Sequence, residues 1–184
     1  MNCGARIVLA AEIGLARAGA PGAFPIPPRL AVRGDPALLR SDKLGLFCSI
    51  RCPGDLILRA YDYARKLRDD GVTVISGFHS PVERECLRIL LRGKQPLIIC
   101  PARSLANLRV PREWRRAVEQ GRLLLLSPFT GSQKRATAGR AQVRNQFVAA
   151  VADRACFIHT APGGALASLA NALRGAGFPL LELP

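Results

Sequence analysis

Short continuous apolar runs, spaced by stretches of helical periodicity, constrain this chain more than any other feature. They fall at about 44–50, 72–77, 96–100, 122–127, 155–160 and 178–183. Each has strand length and shows no polar alternation, so each reads as a strand buried on both faces. Helical stretches between such strands require crossover connections, which make neighbouring strands parallel. The expectation is an α/β fold, a Rossmann-like three-layer sandwich with a mostly parallel sheet of about six strands.

The helical stretches carry their own signals. Ile57, Ala60, Tyr61, Ala64 and Leu67 give one buried face to a helix over about 55–69, and Gly71 follows as a left-handed cap. Ser80-Pro81-Val82-Glu83 is a helix start: a capping serine, proline at the first helical position and glutamate completing a capping box. That helix runs to about Arg92 and stops at Gly93. Further helices are expected over about 111–120, 138–152 and 164–175, with a polar loop over about 128–137. Residues 1–20 have ambiguous periodicity and could form a short helix or strand. Pro21-Gly22-Ala23-Phe24-Pro25-Ile26-Pro27-Pro28 reads as an extended linker, and Leu30–Asp35 as a short strand ending in a turn. The expected organisation is an apolar segment and linker over 1–29, then one domain over 30–184.

Charge bears on function more than composition does. The 184 residues carry 27 Lys+Arg against 13 Asp+Glu, a net +14. Such a field favours polyanions, with nucleic acid first and an anionic membrane surface second. Apart from Lys43, Lys66, Lys94 and Lys134 the cations are arginines, which suit bidentate phosphate contacts. Six cysteines are too sparse for a disulfide scaffold, and several lie in apolar runs, so a reducing cytoplasm is the expected setting. Glu12 interrupts the N-terminal apolar run, no stretch is long enough to span a membrane, and no membrane role is expected.

In a parallel sheet, ligands bind outside the carboxyl ends of the strands. The residues placed there are Ser49 and Arg51, Gly77-Phe78-His79, Pro101-Ala102-Arg103, Ser127-Pro128 and Thr160 to Gly164. Pro162-Gly163-Gly164 at a helix start could bring backbone N–H groups up to a phosphate, or be a plain turn. Arg84, Arg88 and Arg92 lie four apart on one helix, a stripe that either tracks a phosphate backbone or is a solvated face. Cys48, Cys52, His79 and His159 carry metal-binding atoms, but Cys-x₃-Cys is not the usual zinc spacing, and no metal is expected. No nucleophile elbow, Walker loop or paired-carboxylate pattern appears, so no catalytic residue or cofactor is assigned. Trp114 is expected to pack on the sheet rather than stack on a base.

The order of motifs resembles the Rossmann-like core of the DNA-processing protein A family (DprA/Smf), within the superfamily that includes the LOG-type nucleotide hydrolases. Leu30–Asp35 followed by Leu38-Leu39 is similar to that family's lead-in. Ser49 and Arg51 resemble its glycine-serine-arginine turn, with Cys48 at the glycine and one residue inserted before the arginine. Val74-Ile75-Ser76-Gly77 resembles its second strand, and Arg144-Asn145 before Phe147–Ala150 its arginine-asparagine helix. Thr160–Ser168 takes the place of its serine/glycine-rich turn. Gly77-Phe78-His79-Ser80-Pro81 departs from the family's glycine-isoleucine-aspartate segment, and the expected relative is a core-only one, without the extra winged-helix-like domain. In the LOG hydrolases the PGGxGTxxE motif supplies a glutamate; here Ala170 stands at that position after Pro162-Gly163-Gly164, which argues against that hydrolysis.

What the resemblance implies is binding of single-stranded DNA, homodimerisation and partnership with a RecA-type recombinase in DNA processing. The site residues that follow are Ser49, Arg51, Gly77, His79, Arg144, Asn145, Gly163 and Gly164, with Arg84, Arg88, Arg92 and Arg103 as peripheral cations. A nucleotide or cofactor binder without hydrolase activity is the alternative. An enzyme using His79 or His159 on a phosphorylated nucleoside is a third, minor reading.

Overall fold

The computed structural model describes residues 4–15, 24–106, 108–132 and 135–184. The start of the expected linker (21–23) and part of the 128–137 loop lie outside them. The strands are β1 (Arg6–Leu9), β2 (Arg29–Arg33), β3 (Lys43–Cys48), β4 (Thr73–Ser76), β5 (Leu97–Ile99), β6 (Leu123–Ser127), β7 (Arg154–His159) and β8 (Leu180–Leu181). The α-helices are α1 (Gly54–Asp69), α2 (Pro81–Leu91), α3 (Arg112–Glu119), α4 (Ala138–Val151) and α5 (Ala165–Gly175).

One sheet contains all eight strands in the order β1-β2-β6-β5-β4-β3-β7-β8. The six expected core strands, β3 to β8, are parallel; β2 joins β6 antiparallel and β1 joins β2 antiparallel. The expected count of about six is therefore corrected to eight. The difference is the β1–β2 ribbon: β2 is the short strand expected over Leu30–Asp35, while β1 leaves Ile7 and Leu9 exposed and so lacks a clear burial pattern. Behind that strand, Ala10 and Leu15 are buried in the core. β8 is only two residues long, paired with Ala155 and Cys156.

Both faces of the sheet are covered. Leu44, Leu46, Val74 and Leu97 point to the side of α1, α2 and α3, where Ala64, Cys86, Leu90 and Ala117 meet them. Phe47, Ile75, Ile98 and Leu124 point to the other side, against Phe147 and Val148 of α4 and Leu169 of α5. Residues alternate between faces because successive strand side chains point oppositely. Trp114 packs half-buried against the first of these cores. Lys43 is buried at the start of β3, where its ammonium donates to Leu39 O at 3.1 Å and Ser41 O at 2.9 Å and pairs with Asp153 at 2.8 Å.

From β3 the chain winds outward through β4, β5 and β6 with its helices on one face. It then crosses by α4 on the other face and returns to β7, on the opposite side of β3. The winding direction reverses between β3 and β7, which opens a crevice outside their carboxyl ends.

Candidate functional site

A cleft of about 440 Å³ occupies that crevice, lined in part by Ser49, His79, Glu83, Arg144 and Asn145. The ends of β3 and β4 form one wall, and the first turns of α4 and α5 form the other. The β3–β7 register slips between Phe47 and Cys48, so that Phe47 faces Phe157 and Cys48 faces His159. Bulges of this kind re-aim the backbone at the end of a ladder.

Glu83 ties this rim together. One carboxylate oxygen accepts the Cys48 N–H at 2.8 Å, and the other accepts the N–H groups of His79 at 2.7 Å and Ser80 at 3.0 Å. The Ser80 hydroxyl in turn accepts the Glu83 N–H at 3.2 Å, closing the capping box. Sequence reasoning finds the box but misses the bond to Cys48, which joins α2 to β3. Glu83 is buried with three backbone donors on it, so it anchors the loops rather than acting as a free base.

Ser49 performs a second tie. Its hydroxyl accepts the Ala161 N–H at 2.9 Å, and its own N–H donates to His159 O at 2.9 Å. The turn after β3 is thereby fastened to the turn before α5. Gly163, at φ +69°, makes the reversal that starts α5, in a conformation that disfavours a side chain. The Gly164 N–H donates to Ala161 O at 3.0 Å, and no side chain caps α5. The N-terminus of α4 is capped by Thr137, whose hydroxyl accepts the Arg140 N–H at 3.3 Å. Besides the start of α2, whose first turn holds the Glu83 carboxylate, two helix N-termini thus border the same cleft and bias it toward anions.

Arg144 supplies the buried cation. It is only 3% exposed; its guanidinium donates to Cys100 O at 3.2 Å, while Nε is buried without a partner. Burial pulls its pKa below the ordinary arginine value, and nearby Glu83 opposes that shift. The guanidinium rests on Gly77, where any side chain would collide with it. The next residue, Phe78, is buried at φ +45°, a strained conformation for a bulky side chain, and its N–H donates to Ser76 Oγ at 3.1 Å. Backbone strain of this kind collects at functional sites.

The structure thus brings Ser49, His79, Arg144 and Asn145 into one cleft, with Gly77 directly beneath Arg144. Gly163 and Gly164 begin the helix whose next residues, Ala165 and Leu166, line the wall. Arg51 is exposed on the turn beyond β3 and is not part of the lining. Thr137 and Gln142, also lining, carry no motif that would have singled them out. Of the peripheral cations, Arg84, Arg88 and Arg92 are exposed along α2, whereas Arg103 is half-buried and its carbonyl accepts the Ser127 hydroxyl at 2.8 Å. Burial raises the thiol of Cys48, and neighbouring Cys52 adds to the shift, so neither metal ligation nor nucleophilic attack is favoured there. Among the described residues no group of three or more His, Cys, Asp or Glu side chains gathers as a metal site.

The family model for DNA recombination-mediator protein A matches residues 23–176. The chain belongs to that family. No curated protein matches it. Among solved structures, a DNA processing protein A from Helicobacter pylori, studied for its single-stranded DNA binding mode, is 20% identical. The match covers 98% of this chain and 80% of that one, at a TM-score of 0.75. The DNA processing protein A (DprA) of Streptococcus pneumoniae is 15% identical at a TM-score of 0.70; the match covers 86% of this chain and 56% of that one. The chain therefore spans little more than half the length of the pneumococcal protein. A molybdenum cofactor binding protein from Rippkaea orientalis shares the fold at 14% identity and a TM-score of 0.53, covering 78% of this chain and 76% of that one. Among the described residues no helix is long and apolar enough to cross a membrane.

Proposed function

We propose that this DprA-family chain binds single-stranded DNA by its phosphates at the strand-end cleft, as a non-enzymatic component of DNA processing. The observation that carries the reading is the meeting of Arg144, His79 and two helix N-termini in one cleft, on a chain of net charge +14. Ser49 and Asn145 offer hydrogen bonds to phosphate or base, and Arg51, exposed in the chain directly after the lining residue Ile50, is the cation nearest in sequence to add to them. Family membership extends the proposal to a homodimer working with a RecA-type recombinase in the cytoplasm.

The test is a titration of a fluorescent single-stranded oligonucleotide at two salt concentrations, comparing the native chain with Arg51→Glu/His79→Ala. Phosphate capture at the cleft makes the variant at least tenfold weaker and its salt dependence shallower. Unchanged affinity in a variant that melts normally overturns the site.

A second reading has one observation of its own. A concave cleft of about 440 Å³ is the size of a small-ligand pocket, which favours a nucleotide or cofactor binder or sensor. A mononucleotide that raises the melting temperature, with no effect from the oligonucleotide, would establish that alternative.

A further inference from the structure

A second concavity lies apart from the strand-end cleft. It is an open groove of about 1210 Å³ between α2 and α3, reaching the amino ends of β5 and β6. Six cations line it: Arg88, Arg92, Lys94, Arg112, Arg116 and Arg122. Glu113 is the one carboxylate in the lining. Among the described residues Arg92, Lys94, Arg112 and Arg116 make no ion pair; only Arg88 does, with Glu85 at 2.8 Å. Gathering this many like charges without counter-charges is unfavourable unless an anion occupies the space between them.

Arg122 shows the crowding. Its guanidinium donates to Leu91 O at 2.6 Å and to Gln120 Oε1 at 3.2 Å, while Nη1 is buried with no partner. Burial and, after it, the charge of Arg116 both pull its pKa below the ordinary arginine value. Guanidinium groups in this number suit phosphate oxygens, which they can take in pairs.

The groove is connected to the cleft. Helix α2 begins beside the cleft at Ser80 and ends in the groove at Leu91 and Arg92, a distance of about 16 Å at 1.5 Å per residue. Arg84, Arg88 and Arg92 run the length of that helix on its exposed side, with about 5–6 Å between successive positions. A flexible polyanion leaving the cleft has a continuous row of cations to follow into the groove. A duplex, stiff over far longer distances, does not turn so sharply.

We propose that the α2–α3 groove is a second backbone site for single-stranded nucleic acid, reached from the strand ends along Arg84, Arg88 and Arg92. The inference takes its ligand class from the function proposed above; the groove itself rests on its own cations, and only the path into it along α2 depends on the cleft.

The experiment uses the full chain, a single-stranded oligonucleotide of about 20 nucleotides and a duplex of the same length. The groove variant is Arg92→Gln/Arg112→Gln/Arg116→Gln, all exposed positions, checked by thermal melting. Three lost phosphate contacts lower the slope of log affinity against log salt by about 2 and weaken single-strand binding roughly tenfold at moderate salt. That result supports the groove even if Arg51→Glu/His79→Ala binds normally, in which case only the strand-end reading fails. Unchanged single-strand affinity and slope in the folded triple variant overturn the proposal, whatever the cleft variant does. A loss confined to the duplex overturns it as well.

Discussion

The guanidinium of Arg144 fills the space that a side chain on Gly77 would need. A glycine at the end of β4 and an arginine on α4 are therefore one structural unit, and each explains the other. Gly77→Ala must expel the arginine or distort the turn, at a cost of about 1–3 kcal/mol. Urea unfolding of Gly77→Ala, Arg144→Ala and the double variant checks this. The double variant is expected to be no less stable than Arg144→Ala alone, because the clash has gone.

Glu83 holds three backbone N–H groups, one from the end of β3 and two from the loop before α2. Glu83→Ala leaves those donors without their acceptor and is expected to cost about 3 kcal/mol. Glu83→Gln keeps one acceptor oxygen but turns an amide donor toward other N–H groups, at about 2 kcal/mol. Denaturant midpoints should fall in that order with the slope unchanged.

Ser49→Ala removes the acceptor for the Ala161 N–H. A stability loss of about 1 kcal/mol is expected. The more specific readout is local: hydrogen exchange at the Ala161 amide should accelerate, while amides in β4 keep their protection.

Alkaline pH should expose the buried thiols. Burial pushes Cys86, Cys100 and Cys156 up to about 12, against about 8.5 in an unfolded chain. Below the unfolded value both states hold the proton and stability is complete. As pH rises from about 8.5 toward 12 the unfolded chain gives up protons that the folded one keeps, so stability declines. Melting temperatures across that window should fall for the native chain and fall less steeply for Cys100→Ala.

The parallel core was legible because its strands are uninterrupted apolar runs and its helices carry punctuation such as Ser80-Pro81-Val82-Glu83. In the outer ribbon β2 was read as a short strand, but β1 was not, because it exposes Ile7 and Leu9, and nor was the pairing of β2 with β6, a strand some 90 residues further along the chain. At the cleft, Ser49 and His79 were foreseeable as residues following strand ends, whereas Asn145, on α4, was singled out only by the family resemblance. The burial of Arg144 was harder to read: α4 is apolar around much of its girth, so no single face marks an inward position. The bond from Glu83 to Cys48 crosses 35 positions in sequence, and no local pattern announces it. The groove escaped for a similar reason. Its cations come from α2, the turn before β5, α3 and the turn before β6, and only their packing makes them neighbours.

The ties made by Glu83 and Ser49 also bear on how a ligand would be received. Loops already stitched to one another have little freedom left to surrender, so capture should demand little rearrangement and carry a small entropic penalty. The rim is a finished mould, and its shape precedes whatever it comes to hold.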